Sequence, residues 1–241
     1  MSTLLFYSNV APLSRERHRG LQLKPLAEDY VFAASTPLVP LAGSEFFPAS
    51  KHYAVLFSGA NDDMVAVALL GAAEGSNLFV DAGGRWADDV YIPAFVRRYP
   101  FVLATSGNDD TLTVCIDDTW KGFSEEEGEP LFDDSGEPTE STKRAIDFVQ
   151  RYHAEMQRTR AFIARVRELD LFVRRDLQIT DAERGSLLVK DFKLIDEQRF
   201  AKLADDVIVE FHRAGWLPWI YAHLASLGNL QTLHKRMPSR R

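Results

Sequence analysis

A single cysteine, Cys115, leaves this 241-residue chain with no pair to oxidise, so a disulfide framework is excluded and a reducing compartment is expected. Its setting, Leu112-Thr113-Val114-Cys115-Ile116, is apolar and strand-like, and the thiol reads as a small buried hydrophobe. No apolar run approaches the about 20 residues that cross a bilayer, so no membrane span is expected. The first nine residues lack a basic n-region and a long apolar h-region, which makes cytoplasmic the expected location. Positive charge is the minority sign: 28 Lys and Arg against 35 Asp and Glu give a net −7, which argues against an extended nucleic-acid surface. The best local candidate for a basic patch is the end of the chain, at His234, Lys235, Arg236, Arg240 and Arg241, where a frayed, solvated tail is expected.

Catalytic and cofactor motifs are equally scarce. There is no Gly-x-Ser-x-Gly elbow for a serine hydrolase. Gly71-Ala72-Ala73-Glu74-Gly75 has neither the third glycine of a dinucleotide fingerprint nor the lysine of a phosphate loop. Asp133-Asp134-Ser135-Gly136-Glu137 lacks the ligand register of a calcium loop. His153-Ala154-Glu155 matches the spacing of an iron-binding pair, but residues two apart on a helix point about 200° from each other and cannot share an ion. Neither a metal nor a cofactor is expected, and no repeat of solenoid length is present.

What is present is a globular balance, 46% apolar and 26% charged with 16 Phe, sufficient to bury a core. The first half breaks into short apolar runs bounded by Pro, Gly, Asn and Asp. Tyr30–Ala34, Tyr53–Ser58 and Met64–Leu70 read as strands, the last two joined by Gly59–Asp63. Their nearly continuous apolar character predicts cover on both faces. A short helix is expected over Tyr91–Tyr99, with Pro93 in its first turn and Pro100 at its end, followed by a strand pair, Phe101–Ala104 and Thr111–Ile116.

Between Asp117 and Glu137 stand nine acidic residues and one basic, Lys121, interrupted by Gly and Pro, a composition that suggests a solvated connector. Beyond it the period becomes helical. Ala145, Val149, Tyr152, Met156, Ile163 and Val166 form one face of a helix of about 28 residues, with Thr139 or Ser141 as its N-cap. A small hairpin over Asp176–Ile179 and Leu187–Phe192 is expected next. Helices capped by Asp196 and by Asp205 or Asp206 follow, then a last one over Leu217–Leu227 stopped by Gly228-Asn229.

The expected class is α+β: a mostly β N-terminal half with one short helix, then a long helix, a small hairpin and further helices. The expected organisation is a β-rich region over residues 1–138, ending in the acidic connector at about 117–138, and a mainly helical region over 139–241; one integrated domain is the alternative.

Two concentrations of aromatic and polar residues suggest binding. Trp216, Trp219 and Tyr221 flank Pro218 and serve either as core or as a stacking surface, and Trp86 stands beside Arg85. Arg97 and Arg98 could clamp a carboxylate or phosphate. His212 and His223 lie eleven apart, with Gly215 and Pro218 expected to break the helix between them.

Asn77-Leu78-Phe79-Val80-Asp81, Gly84-Arg85-Trp86 and Tyr91–Phe101 resemble the central signature of the bacterial SapC family. Gly128–Asp133 and the ending Tyr221–Leu230 are similar to it too, and the likeness runs from about Leu23 to Leu233. The resemblance implies a setting near the bacterial surface layer, envelope uptake or peptide modification, with oxygenase-, halogenase- or receptor-like protein partners. It brings no established catalytic residues. Within its segments the candidates for polar chemistry are Asp81, Arg85, Arg97, Arg98 and His223, and those for binding are Trp86, Trp216, Trp219 and Tyr221. A non-catalytic binding or adaptor protein is the leading expectation, and an enzyme acting on peptides or amino-acid side chains is the alternative. Self-association through the long helix fits either.

Overall fold

The computed structural model describes residues 4–24, 29–73, 75–105, 112–181 and 183–239. With 37% helix and 24% strand, the chain is α+β, as its patterning predicts. It divides into two compact units that interleave along the sequence: Met1–Asp29 with Phe95–Ala154, and Tyr30–Ala94 with Glu155–Arg241.

The first unit holds two three-stranded sheets. In one, Leu112–Asp117 lies between Val10–Pro12 and Phe101–Thr105, antiparallel to both. The turn joining the two longer strands falls outside the described residues. In the other, Gln22–Leu23 lies between Phe123–Ser124 and Glu129–Pro130. The acidic stretch therefore supplies two strands. Its apolar members Leu131 and Phe132 are buried with Phe101, Ile116 and Val149, while Glu125 to Pro130 stay exposed. Even Asp133 closes a local turn, its Oδ1 accepting from the Ser135 hydroxyl at 2.6 Å and the Glu137 amide at 3.0 Å.

The second unit is built on a five-stranded antiparallel sheet. Its strand order is Phe172–Asp181, Gly185–Ile195, Val55–Ser58, Val65–Leu69 and Leu38–Pro40. Val55, Leu56 and Phe57 are fully buried, as are Ala66 and Ala68, so the unbroken apolar runs do mark a sheet covered on both faces. Gly59 turns the central hairpin at φ +98°, where a Cβ would meet the Asp63 carbonyl at 2.6 Å.

The long helix spans Glu140–Glu168, contributing residues to both units. Val149, Tyr152, Ile163 and Val166 of its expected face are buried, joined by Thr159 and Phe162. The C-terminal helices are Glu197–Phe200, Asp205–Ala214, Leu217–Ser226 and Asn229–Arg236. Gly215, at φ +73°, ends the second of these in the left-handed conformation, as its position predicts. Asp196 caps the first, its carboxylate accepting from the amides of Gln198 and Arg199 at 2.9 and 3.1 Å. An Asp196→Ala variant should lose about 1 kcal/mol of stability in urea titration; no measurable loss would mean that solvent satisfies these amides equally well.

Two expectations are corrected. Tyr30–Ala34 is not a strand but leads into a single 3-10 turn at Val31–Ala33, because the Ala34 amide bonds back to the Val31 carbonyl and Thr36 to Ala33. In the second unit, strand pairing begins only at Leu38. Nor is the chain frayed at His234, Lys235 and Arg236, which lie on a helix, Asn229–Arg236, beyond the expected stop at Gly228-Asn229; Arg240 and Arg241 lie outside the described residues. Leu230 and Leu233, three apart, are buried, and His234 Nε2 meets the Gly185 carbonyl at 2.9 Å. The guanidinium of Arg236 lies 4.4 Å from the Phe79 ring centroid, so much of the basic ending is packed helix.

Candidate functional site

Pro93 precedes a four-residue helix, Ala94–Arg97, and the cis Tyr99–Pro100 peptide leads from it into the strand beginning at Phe101. That turn sets Arg97, Arg98 and Tyr99 in succession within the first unit. On the first turns of the long helix, Phe148 stands beside both Arg144 and Ala145, four and three residues earlier. Together these two elements line a groove of about 350 Å³, with Trp120 and Phe101 beside them and Leu23 and Pro100 completing the wall.

Its electrostatics are one-sided. Three arginines line the groove, and none of the lining residues is Asp, Glu, His, Cys, Ser or Lys. Arg97 lies 5.1 Å from the Phe148 ring centroid. The Arg98 guanidinium lies 4.2 Å from the Phe95 centroid and 5.1 Å from that of Tyr152. Such stacking helps to fix a long side chain in place. The Nε of Arg98 is buried and has no hydrogen-bond partner among the described residues.

Behind the groove a polar network holds the turn. Asp117, fully buried, accepts from the Ser8 amide at 2.7 Å, from the Thr119 hydroxyl at 2.6 Å and from the Tyr99 hydroxyl at 3.3 Å. Burial alone would push its carboxyl up, but these bonds outweigh it and hold the pKa below the usual range. Burial, then the Asp117 charge, raises the Tyr99 phenol well above its ordinary value. Tyr7 is pushed up to about 12 by burial, against the pull of Arg98, and donates to the Phe101 carbonyl at 2.7 Å. Both phenols remain neutral donors.

The other sequence candidates lie in the second unit, with other tasks. Asp81 is exposed and builds a turn, its Oδ1 accepting from the Gly83 and Arg85 amides at 2.8 and 2.9 Å. The side chain of Arg85 pairs with Asp88 at 2.5 Å. Trp86 is 3% exposed and donates from its indole to the Tyr53 hydroxyl at 3.1 Å. Trp219 is buried between Phe46 and Phe162, whereas Trp216 is half-buried against Phe162 and Phe211. Tyr221, 60% exposed, keeps a free face beside Phe200.

His223 is completely buried and both its ring nitrogens are engaged. Nε2 accepts from the Ile195 amide at 3.0 Å, which leaves Nδ1 to donate to the Val55 carbonyl at 2.8 Å. Strands Gly185–Ile195 and Val55–Ser58 pair at Lys193 and Phe57, and two residues further on the imidazole stands between them in place of the ladder. It is a structural bridge, with no lone pair left for proton transfer.

No cluster of His, Cys, Asp and Glu suited to a metal ion occurs among the described residues. No helix among them is long and apolar enough to cross a membrane. Sequence reasoning missed Arg144, Trp120 and Phe148; the i, i+4 pair Arg144 and Phe148 beside the apolar face was the available signal. No curated protein and no solved structure matches the chain. The family model described as SapC matches residues 13–233.

Proposed function

Because the chain belongs to the SapC family, we propose that it is a non-catalytic binding or adaptor protein of a bacterial envelope, uptake or peptide-modification system, and that the arginine–aromatic groove of its first unit is the surface it binds with. The observation that carries this reading is the groove's chemistry. Three cations and four aromatic rings line it, and no side chain there offers a nucleophile or a general base. Tyr99 has the only hydroxyl in the lining; it donates to Asp117, and its raised pKa keeps it protonated. Such a lining recognises and holds a ligand rather than transforming one. The setting, with oxygenase-, halogenase- or receptor-like partners, is what the family resemblance implies, and self-association through the long helix is compatible with it.

The test is quantitative co-purification of natively expressed protein beside a double variant, Arg97→Glu with Arg144→Glu. A stoichiometric partner or small molecule should stay with the wild type and fall at least tenfold in the variant, while circular dichroism shows both to be folded. Equal recovery of the same species from both would rule out the groove as the working surface.

A further inference from the structure

We infer that the surface of the second unit around Phe47, Lys51 and Arg236 docks on an anionic phospholipid bilayer, a property independent of the groove. The distribution of charge comes first. From Phe211 to Ser239 the sequence has no Asp or Glu, in a chain whose net charge is −7. Between Asp29 and Asp62 the only acidic residue is Glu45. Its carboxylate is 6% exposed and turned inward, accepting from the Ala42 and Ala94 amides at 3.0 and 2.6 Å and from the Tyr91 hydroxyl at 2.9 Å. Charge segregated in this way within an acidic chain suits an anionic partner.

The two stretches meet in space. Asn229 donates to the carbonyls of Ser50 and Tyr53 at 2.6 and 3.1 Å, which seats the start of the last helix beside the end of the helix Phe46–Ala49. The Lys51 ammonium lies 5.4 Å from the Phe47 ring centroid. Burial first, and then the charges of Lys51 and Arg236, hold the His52 pKa below its usual value, so both cations stand near that ring. Lys51, Lys235 and Arg236 are exposed, and no carboxylate pairs with them among the described residues. Phe47, 67% exposed, is the most exposed large hydrophobic side chain among the described residues. Tyr221 is second, on Leu217–Ser226, a helix with no Asp, Glu, Lys or Arg that packs on Phe46 through Trp219. An aromatic tip flanked by cations suits a bilayer interface, the ring reaching the acyl boundary while the cations stay among the headgroup phosphates. The attachment is peripheral, since no helix among the described residues is long and apolar enough to cross. A nucleic acid fits less well. The Lys51 ammonium covers one face of Phe47, and Leu217–Ser226 has no Lys or Arg to follow a phosphate chain. A second copy docked about a two-fold axis would set this cationic surface against itself.

Co-sedimentation of the full chain with vesicles decides it, using phosphatidylcholine alone and an equimolar mixture of phosphatidylcholine with phosphatidylglycerol. The mixed vesicles should bind the wild type at least tenfold more tightly than the neutral ones, and about 0.5 M salt should weaken that binding at least fivefold. Lys51→Glu with Arg236→Glu should lose at least tenfold. Phe47→Ser, at an exposed position, should lose at least threefold. Lys143→Glu with Arg151→Glu makes the same change of net charge at exposed positions on the long helix and should bind as the wild type does. If circular dichroism shows the first pair to be unfolded, Lys51→Glu and Phe47→Ser alone carry the comparison. Equal losses in the two charge pairs would reduce the effect to net charge and overturn the surface. Equal binding to neutral vesicles would overturn it as well, and so would tighter binding to single-stranded oligothymidine than to the mixed vesicles. Absence of binding to any vesicle sinks this inference and leaves the groove reading standing.

Discussion

Replacing Trp219 by alanine is expected to cost about 3–5 kcal/mol of stability, the range for deleting a buried large aromatic side chain. The ring is 7% exposed, with Phe162 at 5.4 Å, Phe46 at 6.1 Å and the Arg158 guanidinium at 5.0 Å from it. Gly43 marks how closely it is packed. A Cβ built at that glycine would fall 2.3 Å from Cε3 and Cζ3 of the indole, while the Gly43 amide is tied to the Thr159 hydroxyl at 2.8 Å. Gly43→Ala alone should therefore cost about 1–3 kcal/mol through overpacking. In the Trp219→Ala background the added methyl meets an empty space, and the second substitution should cost almost nothing. Urea unfolding of the four proteins gives the coupling directly. Strictly additive losses would show that the glycine and the indole do not press on each other. Any loss of partner binding in Trp219→Ala is then to be read through folding, which is why the groove variants, not the tryptophans, test function.

The second large effect is a dependence of stability on pH set by His223. Burial pushes its pKa down to about 4, against a small upward pull from the Val55 carbonyl, whereas the unfolded chain keeps the ordinary 6.5. Protonation must occur at Nε2, where the Ile195 amide already donates, so the charged ring loses that bond. Above pH 6.5 neither state binds the proton and the bridge contributes fully. As pH falls toward 4 the unfolded chain takes up the proton first, and stability drops. At pH 4.5 the loss should be about 2–3 kcal/mol relative to pH 7.5. Carboxylates titrate in the same range, so the measurement is a difference. His223→Leu should be less stable than wild type at pH 7.5, because the Ile195 amide and Val55 carbonyl lose their partner, and the gap should narrow by that amount at pH 4.5. A gap that stays constant would mean His223 is not the titrating group.

The central hairpin, the long helix and the cap at Asp196 were legible because each rests on local chemistry: nearly unbroken apolar runs, a 3.6-residue period, a carboxylate at a helix start. The turn at Val31–Ala33 was not, since aromatic and β-branched residues favour a strand and only its return hydrogen bonds decide otherwise. The final helix was hidden by Gly228-Asn229, a stop signal overridden by burial of Leu230 and Leu233. For the site, Arg97 and Arg98 were visible as neighbours of an aromatic helix, but Arg144 lies more than forty residues away and only the fold brings it to the same groove. His223 illustrates the reverse case. Its place in a segment that resembles the family signature suggested chemistry, yet its partners are the backbones of Val55 and Ile195, which no side-chain pattern announces.

The interleaving of the two units has a bearing on how the chain is made. Val55 waits for His223, 168 residues later, before its carbonyl finds its partner. At about 5–20 residues per second that is on the order of ten to thirty seconds of ribosome time. For most of that interval, from the synthesis of Leu69 onward, the hairpin of Val55–Ser58 and Val65–Leu69 has both its strands while its partner His223 is still unmade. The nascent polypeptide therefore carries its most apolar surface without shelter, and a chaperone at the exit tunnel would find its natural target there.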